Sequence, residues 1–182
     1  MNEYDSPNYA SYSYEKKNVG KVRLYRTLMI VGYVLYTLVF FLICYASGFI
    51  PVFAVAPVTL WIIIFFTWRL VAYDVYFEFK SGMLELGHVK VTKSGRVQSP
   101  KLSIHVKEAT FAAPLSGNEA FLEGNKLYDF SESPTSENRI LIIFENDGKS
   151  CAAVFEGTAK IANLLSSFCP KAKDLKGKIF HG

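Results

Sequence analysis

Two long uncharged stretches occupy the first half of the chain. Residues 27–47 form a run of 21 residues without a charge. As a helix this run would be ~31 Å long, which matches the ~30 Å hydrocarbon core of a bilayer. Residues 51–68 form a second uncharged run, which continues past Arg69 to residue 71 as an apolar segment, and neither run has the polar face of a surface helix. The pattern predicts a transmembrane hairpin over residues 25–72, with helices at 27–47 and 51–71.

Basic residues flank this hairpin on one side only. Five lysines and arginines precede the first run, Arg69 closes the second, and the short connection at residues 47–50 carries none. By the positive-inside rule, we expect a multi-pass protein of the cell membrane with both termini in the cytoplasm. A cleaved signal peptide does not fit, because 26 hydrophilic residues come first and a second apolar run follows. The runs contain no ionisable residue in their interiors, which disfavours a carrier or pump.

The segment before the hairpin is rich in tyrosine, serine and asparagine and has no apolar periodicity. We expect residues 1–24 to form a disordered N-terminal tail. Its tyrosines could serve as modification sites or fit a partner's groove, or the segment could be a plain solvated leader.

From Tyr73 onward the hydrophobic period changes to two, which is typical of strands. The predicted strands cover residues 73–79, 83–91, 101–107, 110–115, 126–130, 139–145 and 151–156. A polar loop is expected at residues 92–100. Thr158 can then cap a final helix with apolar residues at positions 161, 164, 165 and 168.

These elements and several local segments resemble a family of small, uncharacterised bacterial membrane proteins with two transmembrane helices followed by a pleckstrin-homology-like (PH-like) domain. The resemblance runs from about Lys21 to Lys171. The segments that carry it are YDVYFEF, GMLEL, KVTKSGRVQ, LSIHVKEATFAAPLSG, KLYDFS and the ending FEG-TAKIANLLSSFCPK. At Glu156-Gly157 the chain departs from the family pattern, which has a proline before the helix. The resemblance implies an unassigned role and supplies no catalytic residues.

The expected fold class is therefore a membrane α-helical hairpin plus an α+β domain. The domain, residues 73–170, is expected to be a PH-like, seven-stranded antiparallel β-barrel or sandwich capped by the C-terminal helix. Residues 171–182 are expected to form a basic tail.

Composition changes this interpretation little but excludes several classes of function. Hydrophobic residues make up 51% of the chain, which is too apolar for an average soluble domain. The three histidines and three cysteines show no metal-ligand spacing and no neighbouring base, so we expect no metal, no cofactor and no enzyme activity. Nucleic acid is not an expected partner, because aromatic and basic residues do not interleave on any predicted strand.

Charge is distributed in blocks along the domain. Residues 80–107 carry six basic and one acidic residue, residues 108–156 carry three and nine, and residues 157–182 carry five and one. One hypothesis is that both basic blocks face anionic lipid headgroups; the alternative is solvated loops without a fixed contact. The candidate headgroup-binding residues are Lys90, Lys93, Arg96, Lys101, Lys171, Lys173 and Lys176.

The sequence thus predicts a non-enzymatic integral membrane protein that presents a PH-like interaction domain at the inner membrane surface, as a scaffold or an accessory subunit of a membrane complex. Its expected partners are the lipid bilayer, other membrane or cytoplasmic proteins and further copies of itself. The alternatives are a module that binds anionic lipid of the inner leaflet and a small pore or transporter component.

Overall fold

The computed structural model describes residues 6–48, 54–68, 73–92 and 95–175, which belong to two compact units. One unit spans Lys17–Tyr73, and the other combines Met1–Lys16 with Asp74–Gly182. The helices are α1 (Gly20–Ser47), α2 (Ala56–Thr67) and α3 (Ala159–Phe168). The strands are β1 (Tyr9–Glu15), β2 (Asp74–Lys80), β3 (Met83–Thr92), β4 (Gly95–His105), β5 (Phe111–Pro114), β6 (Lys126–Phe130), β7 (Arg139–Asn146) and β8 (Lys149–Glu156).

Among the described residues of the helical unit, one helix is long and apolar enough to cross a membrane. Within Val22–Ser47 of α1, a window of 18 residues has a mean hydropathy of 2.4. The helix ends where Gly48 adopts the left-handed conformation at φ 68°, which glycine reaches without steric cost. Helix α2 has only 12 described residues. The predicted ends of the second helix, at residues 51 and 71, lie outside the described residues.

Hydrogen bonds between side chains join α1 to α2. The hydroxyls of Tyr33 and Thr67 are 2.6 Å apart, and those of Tyr36 and Thr59 are 2.7 Å apart. From the first bonded pair to the second, the residue number rises in α1 and falls in α2. The two helices are therefore antiparallel neighbours, as expected for a hairpin with a short connection. Each bond satisfies a polar group inside an otherwise apolar pair.

The strands of the other unit form two four-stranded sheets, in the orders β1-β2-β3-β4 and β5-β7-β8-β6. With α3 they make an α+β unit. Seven of its strands, β2 to β8, fall where the sequence predicted strands. The arrangement differs from a simple antiparallel meander in three ways: β5 pairs with β7 and not with β6, β6 pairs with β8 in parallel, and β1 adds an eighth strand.

The expectation of a disordered leader is wrong for residues 9–15. They form β1, which pairs with β2 in register from Tyr9↔Lys80 to Glu15↔Asp74. The tail fails as a prediction because Tyr9 and Tyr14 are buried against the unit, and that burial outweighs the weak strand signal of the polar sequence. Residues 20–24 also differ from the prediction, since they already belong to α1.

Two further boundaries differ from the prediction. The polar loop expected at residues 92–100 is largely strand, because β3 and β4 continue as a hairpin until Thr92 pairs with Gly95. The basic tail expected from residue 171 begins as part of the domain. Lys173 N–H donates to the Ala112 carbonyl at 2.8 Å, and Leu175 is buried.

The core lies where the inward faces of the sheets meet α3. Phe77 and Phe79 of β2 are fully buried, and Phe77 contacts Phe155 of β8 with ring centroids 5.5 Å apart. Helix α3 begins as predicted, since the Thr158 hydroxyl accepts a hydrogen bond from Ile161 N–H. The missing proline before the helix therefore does not shift its start.

Strand β2 also buries one residue on the face that points away from the core. Tyr76, which alternates away from the core, has a relative exposure of 1% because its ring lies over Gly87 of β3. A Cβ atom at position 87 would lie 2.4 Å from the Ser99 carbonyl oxygen and 2.8 Å from the Tyr76 ring. Glycine at this position thus permits the close approach of two neighbouring strands, at the point where the β3–β4 register shifts.

Candidate functional site

The β3–β4 hairpin extends past the end of its sheet. Asp74, the first residue of β2, pairs with Val89, so β3 continues for three further residues to Thr92. At 3.3–3.4 Å per residue, the hairpin projects about 10 Å beyond β2. The same end of the sheet holds Glu15, which pairs with Asp74. The hairpin therefore projects from the end where the chain leaves for residues 17–73 and returns from them.

We call Lys90, Arg96 and Val97 of this projecting hairpin the basic tip. All three side chains are exposed, and Val97 has a relative exposure of 47%. A guanidinium nitrogen of Arg96 lies 3.8 Å from the Asp74 carboxylate. Because the Arg96 side chain is 69% exposed, this ion pair is solvated and leaves the guanidinium accessible. The candidate Lys93 falls between the described residues 92 and 95.

Lys101 does not belong to the basic tip. It is the extra residue of a bulge, since Leu102 pairs with Leu86 while Pro100 pairs with Gly87. About 17 Å of extended strand separates it from Arg96. Its exposed ammonium group instead contributes to the local field around His88.

Lys171 and Lys173 are at the opposite end of the domain. They follow α3, whose last residue, Phe168, packs its ring 5.3 Å from Phe79 and lies against Gly82. Phe79 and Gly82 mark the end of β2 that is farthest from Asp74, about 20 Å along the strand. The candidate headgroup residues are therefore divided between two ends of the domain and do not form one surface. Lys176 lies outside the described residues.

An open groove of about 670 Å³ lies at that far end. Its lining residues are Glu78, Lys80, Ser81, Gly82, Met83, Glu85, His105, Lys107 and Glu108. Glu78 and Glu85 are directly opposite in the β2–β3 ladder. Burial and these two carboxylates raise the pKa of Tyr76 to about 12. The groove thus mixes charges of both signs, and two of its carboxylates help to keep Tyr76 protonated.

The sequence did not indicate a buried polar network that closes the domain near the end of β1. Tyr14 donates its hydroxyl hydrogen to the Phe130 carbonyl at 2.6 Å and accepts from Glu156 N–H at 3.1 Å. The Glu156 carboxylate accepts from Glu132 N–H at 3.1 Å and from the Ser136 hydroxyl at 2.7 Å. Burial raises the pKa of Tyr14, so this phenol stays protonated. The alternation of serine and tyrosine at residues 11–14 was the available signal for a strand here.

Lys16 contributes to the same closure. Its ammonium group is mostly buried and lies 3.2 Å from the Asp129 carbonyl oxygen and 3.8 Å from the Asp129 carboxylate. Lys16 is one of the basic residues that predicted the orientation of the hairpin. Its ammonium group contacts Asp129 of the domain and does not face lipid.

The remaining reactive side chains have protected environments. Cys151 and Cys169 are buried, and burial raises the pKa of the Cys169 thiol. His88 packs edge-on against Phe130, with ring centroids 6.0 Å apart. Among the described residues, no group of three His, Cys, Asp or Glu side chains is arranged to hold a metal ion.

Comparisons with known proteins add no relative to this description. No family model matches the chain, and no curated protein or solved structure is similar enough to match it.

Proposed function

We propose that this chain is a non-enzymatic integral membrane protein whose two-span helical hairpin holds a PH-like domain at the cytoplasmic face of the membrane. In this role the domain is a scaffold or an accessory subunit of a membrane complex. The observation that carries the proposal is the pairing of Glu15 with Asp74, two residues that flank the whole apolar segment.

This pairing favours an even number of membrane crossings. The chain leaves β1 and re-enters β2 at one point of one sheet, so residues 17–73 must begin and end on the same side of a bilayer. Helix α1 is long and apolar enough to cross once. A return crossing is then required, and the apolar run at residues 51–71, which contains α2, is the segment that can supply it.

The side occupied by the domain follows from the basic residues. Arg23 and Arg26 lie in the first turns of α1, and Arg69 follows α2, whereas the connection between the helices has no lysine or arginine. The positive-inside rule then assigns both termini and the domain to the cytoplasm.

The PH-like assignment is supported by the number and order of elements. Strands β2 to β8 are divided between two sheets, and α3 follows the last strand and packs on the core. The additional β1 and the parallel β6–β8 pair are departures from a seven-stranded antiparallel barrel. In our proposal, β1 gives the domain a second covalent connection to the hairpin. The chain continues from β1 into α1, and the partner of β1, strand β2, follows the hairpin.

Cysteine labelling in intact cells tests this arrangement. Ser47→Cys at the end of α1 should react with a membrane-impermeant maleimide from outside, and Ser103→Cys on β4 should react only after permeabilisation. The unsubstituted protein is the control, because Cys44, Cys151 and Cys169 are buried. Labelling of Ser103→Cys in intact cells, or protection of Ser47→Cys, would contradict the proposal.

The scaffold role is tested by extraction in mild detergent. We expect the intact protein to elute with stoichiometric protein partners, at a mass above that of the monomer in its micelle. Elution as an isolated monomer with bound anionic lipid would instead favour a lipid-binding module.

A further inference from the structure

We propose that the basic tip, and not the lysines that follow α3, contacts the anionic headgroups of the cytoplasmic leaflet. This inference rests on the proposed function, because it takes the apolar hairpin as the membrane anchor. It adds to that function a defined contact, with phospholipid as the partner and Lys90, Arg96 and Val97 as the contacting residues.

The tether lengths bring this end of the sheet close to the bilayer. Only residues 16–19 separate β1 from α1, and only residues 72 and 73 separate the predicted apolar run from β2. At no more than ~3.6 Å per residue, the return connection spans roughly 10 Å. The headgroup layer beyond the hydrocarbon is itself ~5–7 Å thick on each side. Asp74 must therefore lie at or just below the headgroups.

The basic tip lies at the end of the sheet where the chain enters β2. Lys90 follows Val89, the partner of Asp74, so its place in the ladder is level with residue 73. The β3–β4 hairpin projects about 10 Å past Asp74, which is also the longest distance that the connection from residue 71 to Asp74 can span. The β4 side chains of Arg96, Val97 and Gln98 are exposed, so the described domain does not cover the basic tip.

The chemistry of the basic tip complements an anionic membrane surface. Each lysine or arginine near such a surface favours contact roughly fivefold, and the effect fades within ~8–10 Å at physiological salt. The exposed Val97 can enter the interface between headgroups and acyl chains, as apolar residues beside basic ones do. Lys171 and Lys173 follow Phe168, which packs on Phe79 and Gly82 about 20 Å farther along the strand, where this attraction is screened.

The test uses the full chain reconstituted into vesicles of phosphatidylcholine with or without phosphatidylglycerol. Val97→Cys carries an environment-sensitive fluorophore, and a spin-labelled headgroup lipid serves as quencher. Lys107→Cys, an exposed position near the far end of β4, carries the same fluorophore as a control. We expect quenching at position 97 in the anionic vesicles, several-fold weaker quenching in neutral vesicles or high salt, and little quenching at position 107.

Charge reversals then assign the contact. Lys90→Glu with Arg96→Glu should abolish the quenching at position 97, whereas the matched pair Lys171→Glu with Lys173→Glu should leave it unchanged. Equal quenching at positions 97 and 107, or loss of quenching with the second pair, would overturn the inference. Flotation with the vesicles distinguishes the two proposals: a protein that floats without quenching at position 97 refutes only the tip contact, and one that does not float refutes the membrane anchor.

Discussion

Tyr14 and Glu156 connect β1 of one sheet to β8 of the other, because Glu156 N–H donates to the Tyr14 hydroxyl at 3.1 Å. The same hydroxyl donates to the Phe130 carbonyl. Tyr14→Phe would leave a buried N–H and a buried C=O without this partner. We expect the domain to lose about 1–3 kcal/mol of unfolding free energy, measured by denaturant titration in detergent. Tyr12→Phe, at a side chain that is 45% exposed, is the control, and an equal loss there would contradict the assignment.

The pairing of β1 with β2 predicts that the domain folds without the helical unit. Because Glu15 and Asp74 are partners, Lys16 and Tyr73 can be joined by Asn-Gly, which closes a two-residue β-hairpin turn in place of residues 17–72. We expect a detergent-free, cooperatively unfolding protein, followed by circular dichroism during thermal melting. A second variant that starts at Tyr73 should be less stable than the joined one, since it lacks β1. Equal stability of the two variants would show that β1 is dispensable.

The tyrosine–threonine bonds between α1 and α2 should stabilise the helix pair. Tyr33→Phe with Tyr36→Phe removes both bonds, and interhelical hydrogen bonds in membranes average about 0.6 kcal/mol each. We expect the double variant to separate its helices at lower concentrations of a denaturing detergent, measured by energy transfer between labels on α1 and α2. Tyr25→Phe with Tyr45→Phe, at exposed side chains of the same helix, is the matched control. A shift of equal size in the control would exclude a specific role for these bonds.

His88 should make the stability of the domain depend on pH. Burial first, and then the charges of Lys101, Lys16 and Lys90, lower its pKa below the ordinary value of 6.5. The folded domain therefore favours the neutral ring, and its contribution is complete above pH 6.5 and declines as the pH falls toward the lowered pKa. His88→Gln should flatten the pH dependence of the melting temperature between about pH 7 and pH 5. His105→Gln, at an exposed side chain, should keep the wild-type slope, and a parallel loss there would refute the assignment.

Local patterns were sufficient to predict most elements of the domain. Strands β2 to β8 and helix α3 appear in the sequence as alternation or as a 3.6-residue period, and the Thr158 cap is a local signal that the structure confirms. Strand β1 was missed because its evidence is not local. Its polar, tyrosine-rich residues become a strand only by pairing with β2, which follows the entire apolar segment.

The candidate headgroup-binding residues also depend on contacts that are not local in the sequence. Lys90 and Lys171 were placed in one group because both lie in basic blocks, and block charge contains no information about distance. The register of Asp74 with Val89 and the packing of Phe168 on Phe79 separate them. The Tyr14–Glu156 network was also beyond sequence reasoning, since it depends on contacts between residues at opposite ends of the chain.

The insertion of both helices between two paired strands has a consequence for biosynthesis. Residues 9–15 leave the ribosome first, yet their partner, residues 74–80, is made only after α1 and α2. In the proposed two-span arrangement, the amino-terminal segment therefore stays unpaired while the helices enter the lipid. In that arrangement, completion of the first sheet is coupled to the return of the nascent chain to its starting compartment, and a polypeptide that inserted only one helix would have its two halves on opposite sides of the membrane.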